Sequence, residues 1–318
     1  MTEQLQEQNA AQYDDEIDLR ELFRTLWAGK WLISGITFVA AVIAVIVALM
    51  MPNIYRAEAL LAPNDQEGAG RLSALAAQYG GLASLAGINL NSGKADKTVL
   101  GLEVLKSRKF ISDFIERHEV LVPLMAADGW DAETGDLKID PDDYDVTTKR
   151  WVRDVSPPKK TVPSLQEAYE VFMENLVVSQ NKKSGFVTIA VEFYSPTIAK
   201  QWVDWLIDDL NAFIMQQDVT EAEQAIEYLH KQIESTSLAE LQNVFFRLIE
   251  EQTKTVMLAN VSSEYLLKTL DPAVIPELKF KPRRSLIVIL MTLFGGLLGI
   301  FVQLTRTKVT TFREGSAS

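Results

Sequence analysis

Few residues in this sequence combine a type and a spacing that could do chemistry. The chain has no cysteine and two histidines, His118 and His230. Each histidine falls among charged residues in a predicted helix, and neither has a second histidine at metal-ligand spacing. No GxSxG turn is present to raise a serine nucleophile. Residues 87–94, GINLNSGK, come nearest to a phosphate-binding loop. Such a loop needs four residues between its glycines and Ser or Thr after its lysine. Here five residues separate Gly87 from Gly93, and Ala95 follows Lys94, so a plain loop is the better reading. Asp140, Asp142, Asp143 and Asp145 offer oxygen ligands of the kind calcium takes, but without the glycine turn and distal glutamate of an EF-hand they read as a solvated loop. Trp202 and Trp205 could stack on a sugar ring, yet they lie on the apolar stripe of a helix, where packing is the expected role. We expect no catalytic residue, no metal site and no cofactor.

The elements that position these residues are bracketed by two uncharged runs. Residues 31–51 read WLISGITFVAAVIAVIVALMM, and residues 285–304 read SLIVILMTLFGGLLGIFVQL. A helix of about 20 apolar residues crosses a hydrocarbon core of about 30 Å. Backbone groups in lipid must be satisfied within their own segment, so both runs are predicted as membrane-spanning helices. The first begins after thirty polar and amphipathic residues and ends without a small-residue cleavage site, which favours an anchor over a signal peptide. Arg20, Arg24 and Lys30 precede the first run, and Arg306, Lys308 and Arg313 follow the second, so both termini are expected on the inner side. Lys279, Lys281, Arg283 and Arg284 argue the other way, but a long translocated segment is little governed by its charge. The chain is acidic, with a formal net charge of −12, and the 52–284 segment carries 25 Lys and Arg against 35 Asp and Glu. That is not a surface for nucleic acid.

Within residues 1–30, Leu19, Leu22, Phe23, Leu26 and Trp27 recur at helical spacing and predict a short interfacial helix. After Pro52, IYRAEALLAP predicts a strand with Tyr55, Ala57, Ala59 and Leu61 on one face. Residues 64–94 are rich in Gly, Ala, Ser and Leu, and short helices and loops are expected there. Val99, Leu102, Leu105, Phe110, Ile111, Phe114 and Ile115 predict one amphipathic helix, with Asp96 as its cap. Residues 128–163, acidic and proline-punctuated, read as a surface excursion. Ser164 and Glu167 have capping-box spacing ahead of LQEAYEVFMEN. LVVSQ, the turn NKKSG and FVTIAVEF then predict a hairpin with Val187, Ile189, Val191 and Phe193 on one face.

Ser195 and Pro196 supply a cap and a first-turn proline for a long helix, about 195–260. No Gly or Pro interrupts residues 197–271, although breaks near Asp218 and at 235–237 are allowed. Trp202, Leu206, Leu210, Ile226, Leu229 and Leu241 mark its apolar stripe and are expected to pack within or between protomers. The segment YLLKTLDPAVIPELKFKPRR then predicts a strand followed by an extended approach to the second span, pinned by Pro272, Pro276 and Pro282. In that span Gly295, Gly296 and Gly299 form a GxxxG face suited to close helix contact, with the first span or with a neighbouring protomer.

Taken in order, EIDLRELFRTLWAGKW, YRAEALLAP, LGLEVLKSRKFI, SGFVTIAVEFYSP and DPAVIPELKFKPRRSLIVILMTLFGGLLG resemble the Wzz-type polysaccharide co-polymerases, the O-antigen chain-length determinants of Gram-negative inner membranes. The resemblance implies an α+β membrane protein: two transmembrane helices flanking a periplasmic α/β domain, a long helix extending from it, and cytoplasmic tails at 1–30 and 305–318. It also implies closed homo-oligomers and a non-enzymatic role in setting the modal length of a polysaccharide. The implied partners are the chain itself, a Wzy-type polymerase and the growing lipid-linked glycan. Capsule and exopolysaccharide co-polymerases carry a tyrosine kinase after the second span, whereas TRTKVTTFREGSAS follows here. A two-span periplasmic sensor is the rival reading, weakened because fourteen residues after Leu304 are too few for an output domain.

Overall fold

The computed structural model describes residue 24 and residues 26–64, 92–235 and 238–315, with side chains from 97 onward in the second stretch and to 306 in the last. The chain divides into two units, residues 53–281 and the two terminal segments, 1–52 with 282–318.

The terminal unit is a pair of packed helices, α1 (Lys30–Met50) and the helix that ends the chain. The latter runs Arg284–Gly315, and its apolar part is Arg284–Arg306. Both are long and apolar enough to cross a membrane, with mean hydropathies of 2.8 and 2.5, and only 11% of each apolar window is buried. An apolar helix this exposed cannot be the core helix of a water-soluble fold, because its side chains would face water on most of its circumference. The interfacial helix expected at 19–27 falls largely outside the described residues, although Arg24 and residues 26–28 are helical.

The other unit is built on a four-stranded antiparallel sheet of β1 (Tyr55–Pro63), β6 (Leu176–Gln180), β7 (Val187–Phe193) and β8 (Leu267–Asp271), in the order β6-β7-β1-β8. Period-two alternation sets its register. Ala57, Ala59 and Leu61 face the core beside Val191, Ile189 and Val187, their partners across the β1–β7 ladder. A slip by one residue would put every one of them on the other face. The β6–β7 turn closes with Gly185 at φ +75°, and the Asn181 side-chain amide oxygen accepts from the N–H groups of Lys183 and Ser184 at 2.9 and 3.3 Å. Asparagine and glycine thus do the work their conformational freedom suits them to.

Helices cover one face of the sheet: α2 (Ser92–Leu105), α3 (Arg108–Arg117), α4 (Leu121–Ala126), α5 (Leu165–Asn175) and α6 (Pro196–Ser235). The single helix expected across 96–118 is two. Ser107 adopts extended backbone at φ −68° and ψ 147°, and its hydroxyl accepts from the Phe110 N–H at 3.2 Å, capping a new helix. Helix α2 already begins at Ser92, so Asp96 lies inside it and is not its cap, and Val99 is 47% exposed rather than part of the core. Residues 92–94 of the glycine-bounded loop belong to α2, and the rest of that loop and of the Gly/Ala-rich stretch lies outside the described residues. Between α4 and α5 the excursion forms two small ribbons, β2 (Ala127–Trp130) with β3 (Leu137–Ile139) and β4 (Tyr144–Asp145) with β5 (Arg150–Trp151). Arg153 pins its far end, donating to the carbonyls of Lys160 and Thr161 and to Glu167 in the first turn of α5.

Helix α6 starts where Ser195 accepts from the Ile198 N–H at 3.4 Å and Pro196 presets the first turn. It runs for 40 residues, about 60 Å at 1.5 Å per residue. It does not break at Asp218. That carboxylate accepts from Tyr265 Oη at 2.7 Å and pairs with Lys97 Nζ at 2.6 Å, joining α6 to two neighbours. The helix ends at Ser235, Leu238 is extended, and α7 (Ala239–Val261) packs back along α6 toward β8. The single long helix expected over 195–260 is therefore a helical hairpin, with its turn at the serine-rich break that the sequence allows.

Candidate functional surfaces

The stripe on α6 divides where the sheet ends. Trp202, Leu206 and Leu210 are fully buried over the sheet, Trp202 lying 4.5 Å from the Phe193 ring and 5.7 Å from that of Phe172. These three hold the domain together and have no surface to offer a sugar or a second protomer. Beyond Ala222, Ile226 and Leu229 are half-buried on the helix that α7 packs along. Across the turn Leu241 is 44% exposed, and Val244 and Phe246 on α7 are more exposed still. The outer half of the hairpin thus carries apolar surface that one partner helix cannot cover.

Trp205 is committed in a different way. Its ring is stacked on His118, with centroids 4.2 Å apart and planes inclined by 13°. His118 Nε2 lies 3.0 Å from Asp209, which also accepts from Arg117 at 2.9 Å. The histidine is thereby a fastening between α3 and α6. His230 is exposed on α6. The acidic run is spent on its own turns. Asp140 accepts from the Asp142 N–H at 2.9 Å, and Asp145 accepts from Thr148 Oγ1 at 2.7 Å and from the Thr147 N–H at 2.8 Å. The Thr148 hydroxyl and the backbone N–H groups of Thr148 and Thr147 hold Asp145 below the usual carboxylate range. Among the described residues no group of three or more His, Cys, Asp or Glu is placed to hold a metal ion.

In the terminal unit the glycines sit on the seam between the two helices. A Cβ at Gly295 would overlap that of Ala40, one at Gly299 would come within 3.1 Å of the Ile33 Cα, and one at Gly296 would stand 3.6 Å from Thr37 Oγ1. The GxxxG face therefore meets α1 of the same chain. In the other unit Pro272 is exposed and Pro276 half-buried on an extended segment that leaves β8. Its end is tied to the sheet: the Phe280 N–H donates to the Ile54 carbonyl at 2.8 Å, the Ile54 N–H donates to that of Lys281 at 2.9 Å, and Lys281 pairs with the buried Glu192. Pro282, half-buried, precedes the last helix.

One residue that organises this architecture carries no signal in the pattern above. Asn211 is 3% exposed in the middle of α6. Its Oδ1 accepts from the N–H groups of Leu266 and Leu267 at 2.8 and 2.9 Å, and its Nδ2 donates to the Leu267 carbonyl at 3.1 Å. A lone asparagine among Leu210, Phe213 and Ile214 is the clue, since a buried amide must be met by partners.

The family described as Wzz, chain length determinant protein, matches residues 15–118. Among solved structures the chain is similar to one titled "full-length bacterial polysaccharide co-polymerase", with 14% identity, covering 94% of this chain and 99% of that one, at a TM-score of 0.38. It is also similar to a fragment of WzzB, a polysaccharide co-polymerase from Salmonella Typhimurium, with 12% identity, covering 72% of this chain and 100% of that one, at a TM-score of 0.28. No curated protein sequence matches the chain. The segment 15–118, about a third of the chain, is thus similar to the Wzz chain length determinant family.

Proposed function

We propose that this protein is a non-enzymatic co-polymerase of the bacterial inner membrane that sets the modal length of O-antigen or a related surface polysaccharide. The observation that carries the reading is the match of residues 15–118 to a chain length determinant, spanning the first of two membrane-length helices and the start of the domain they bracket. Both termini lie in the cytoplasm, where the basic flanks of the spans favour them, and residues 53–281 lie in the periplasm. The protein assembles with itself, using the apolar surface left on the outer half of the α6–α7 hairpin. The length signal then comes from the geometry of that assembly beside a Wzy-type polymerase and its lipid-linked glycan. The test is a lipopolysaccharide gel from the source strain with the gene present, deleted and restored. Deletion should replace a modal ladder with a broad distribution that restoration reverses. An unchanged ladder refutes the reading.

A further inference from the structure

Two helix faces meet in an open trough of about 940 Å³ on the domain. One wall is α3, which presents Phe110, Asp113 and Arg117 at spacings of three and four. The other is α6, which presents Asp209, Phe213, Gln216, Thr220 and Gln224 along one side. Its floor is aromatic, the rings of Phe110 and Phe213 standing edge to face with centroids 5.9 Å apart. The volume is at the upper end of the range of about 300–1,000 Å³ typical of small-molecule sites, and the trough is open along its length.

We propose that this trough is a binding site for a neutral, hydroxyl-rich glycan segment several sugars long. A carboxamide offers one acceptor and two donors on a planar head, which suits it to neighbouring hydroxyls on a pyranose ring. Gln216, Gln217 and Gln224 supply three such heads, all exposed, on one stretch of α6. Gln216 is preset, its Nε2 donating to Thr220 Oγ1 at 3.4 Å, which leaves its carbonyl to accept. Asp113 and Glu221 add acceptors for hydroxyl protons, while Phe213 and Met215 offer apolar surface to the C–H face of a sugar. The electrostatics select within the class. Arg117 is engaged by Asp209 at 2.9 Å, so Asp113 and Glu221 dominate the remaining field and repel uronate, phosphate and nucleotide.

The proposal rests on the reading of the protein as a glycan-length determinant, and one pair of experiments separates the two. Saturation-transfer NMR is recorded on the full-length protein in a sugar-free detergent with chitohexaose, isomaltohexaose and hexagalacturonate. Signal should pass to at least one neutral hexamer and not to the acidic one. The double variant Gln216→Ala, Gln224→Ala, two exposed helix positions where alanine is well tolerated, should lower that signal at least tenfold with the native mass of the assembly unchanged. No transfer to either neutral hexamer, equal transfer to hexagalacturonate, or full transfer to the variant overturns the site. A change in assembly mass in the variant also overturns it, assigning the trough to a second copy of the chain. In cells, a deletion that abolishes the modal ladder beside a double variant that preserves it sinks the site and leaves the functional reading standing. A deletion without effect sinks the reading, and the NMR result then decides the site alone.

Discussion

Two side chains show how this domain spends its buried polar groups. Asn211 satisfies three backbone groups of the segment leading into β8, and leucine would fill its volume while satisfying none. An unsatisfied buried group costs about 1–3 kcal/mol, so Asn211→Leu should lower stability by about 3 kcal/mol or more. Urea unfolding of the full-length protein in detergent, followed by tryptophan fluorescence, measures this. Glu167 closes a capping box, accepting from the Ser164 N–H while the Ser164 hydroxyl accepts from its own, and it also accepts from Arg153 at 3.0 Å. Burial acts to raise its carboxyl, but the hydrogen bonds from Arg153 and Ser164 and the charge of Arg153 outweigh it and hold it below its ordinary 4.5. A carboxylate depressed in the folded state stabilises above its unfolded value and loses that contribution as pH falls through the folded one. Glu167→Gln should therefore destabilise the protein at pH 7, with the difference from wild type shrinking as the pH is taken from 5 toward 3. A difference independent of pH would show that packing, and not charge, is what the variant removes.

At the level of elements, the strands were the most legible part of the sequence. Val187, Ile189, Val191 and Phe193 alternate without exception, and all four are in the core. The helices were legible in their faces and less so in their ends. Across α2 and α3 the apolar rhythm jumps five residues, from Leu105 to Phe110, and Ser107 waits in the gap as a cap. A stripe of threes and fours laid over both helices hides that step. The α6–α7 turn has neither glycine nor proline, so rod and hairpin share one pattern, and only contacts between distant residues separate them. The trough escaped for the opposite reason: its residues are polar, and helical spacing of polar side chains looks like an ordinary solvated face. In the terminal unit the three glycines of the second apolar run lie against α1. With no native cysteine to interfere, Thr37→Cys with Gly296→Cys should form a disulfide within one chain, since those positions lie within the reach of the bond. A non-reducing gel showing only cross-linked dimers would move that contact to a neighbouring protomer.

For the whole molecule the account joins topology to assembly. Single cysteines at Thr2, Asp143 and Ser318, probed with an impermeant thiol reagent on spheroplasts, should label at 143 alone; label at either terminus would invert the arrangement of the basic flanks. The half-buried outer stripe then becomes the lever on function. Leu229→Asp puts a carboxylate on the half-buried stripe of α6, and burying a charge without a partner costs several kcal/mol. It should loosen the hairpin and the assembly together, and Leu206→Ala, which empties a fully buried site, should lower the stability of the domain by about 2–5 kcal/mol. The most direct measurement is the length distribution of the surface polysaccharide in a deletion strain carrying wild type, Leu229→Asp, or single polar replacements such as His118→Gln and His230→Gln, read beside native mass spectrometry of the extracted complexes. The account predicts polymer in every strain, a mode moved or flattened where the assembly is loosened, and a modal ladder retained where it is intact. A single polar replacement that leaves the assembly whole and abolishes all polymer would contradict it, because that is the behaviour of a catalytic group.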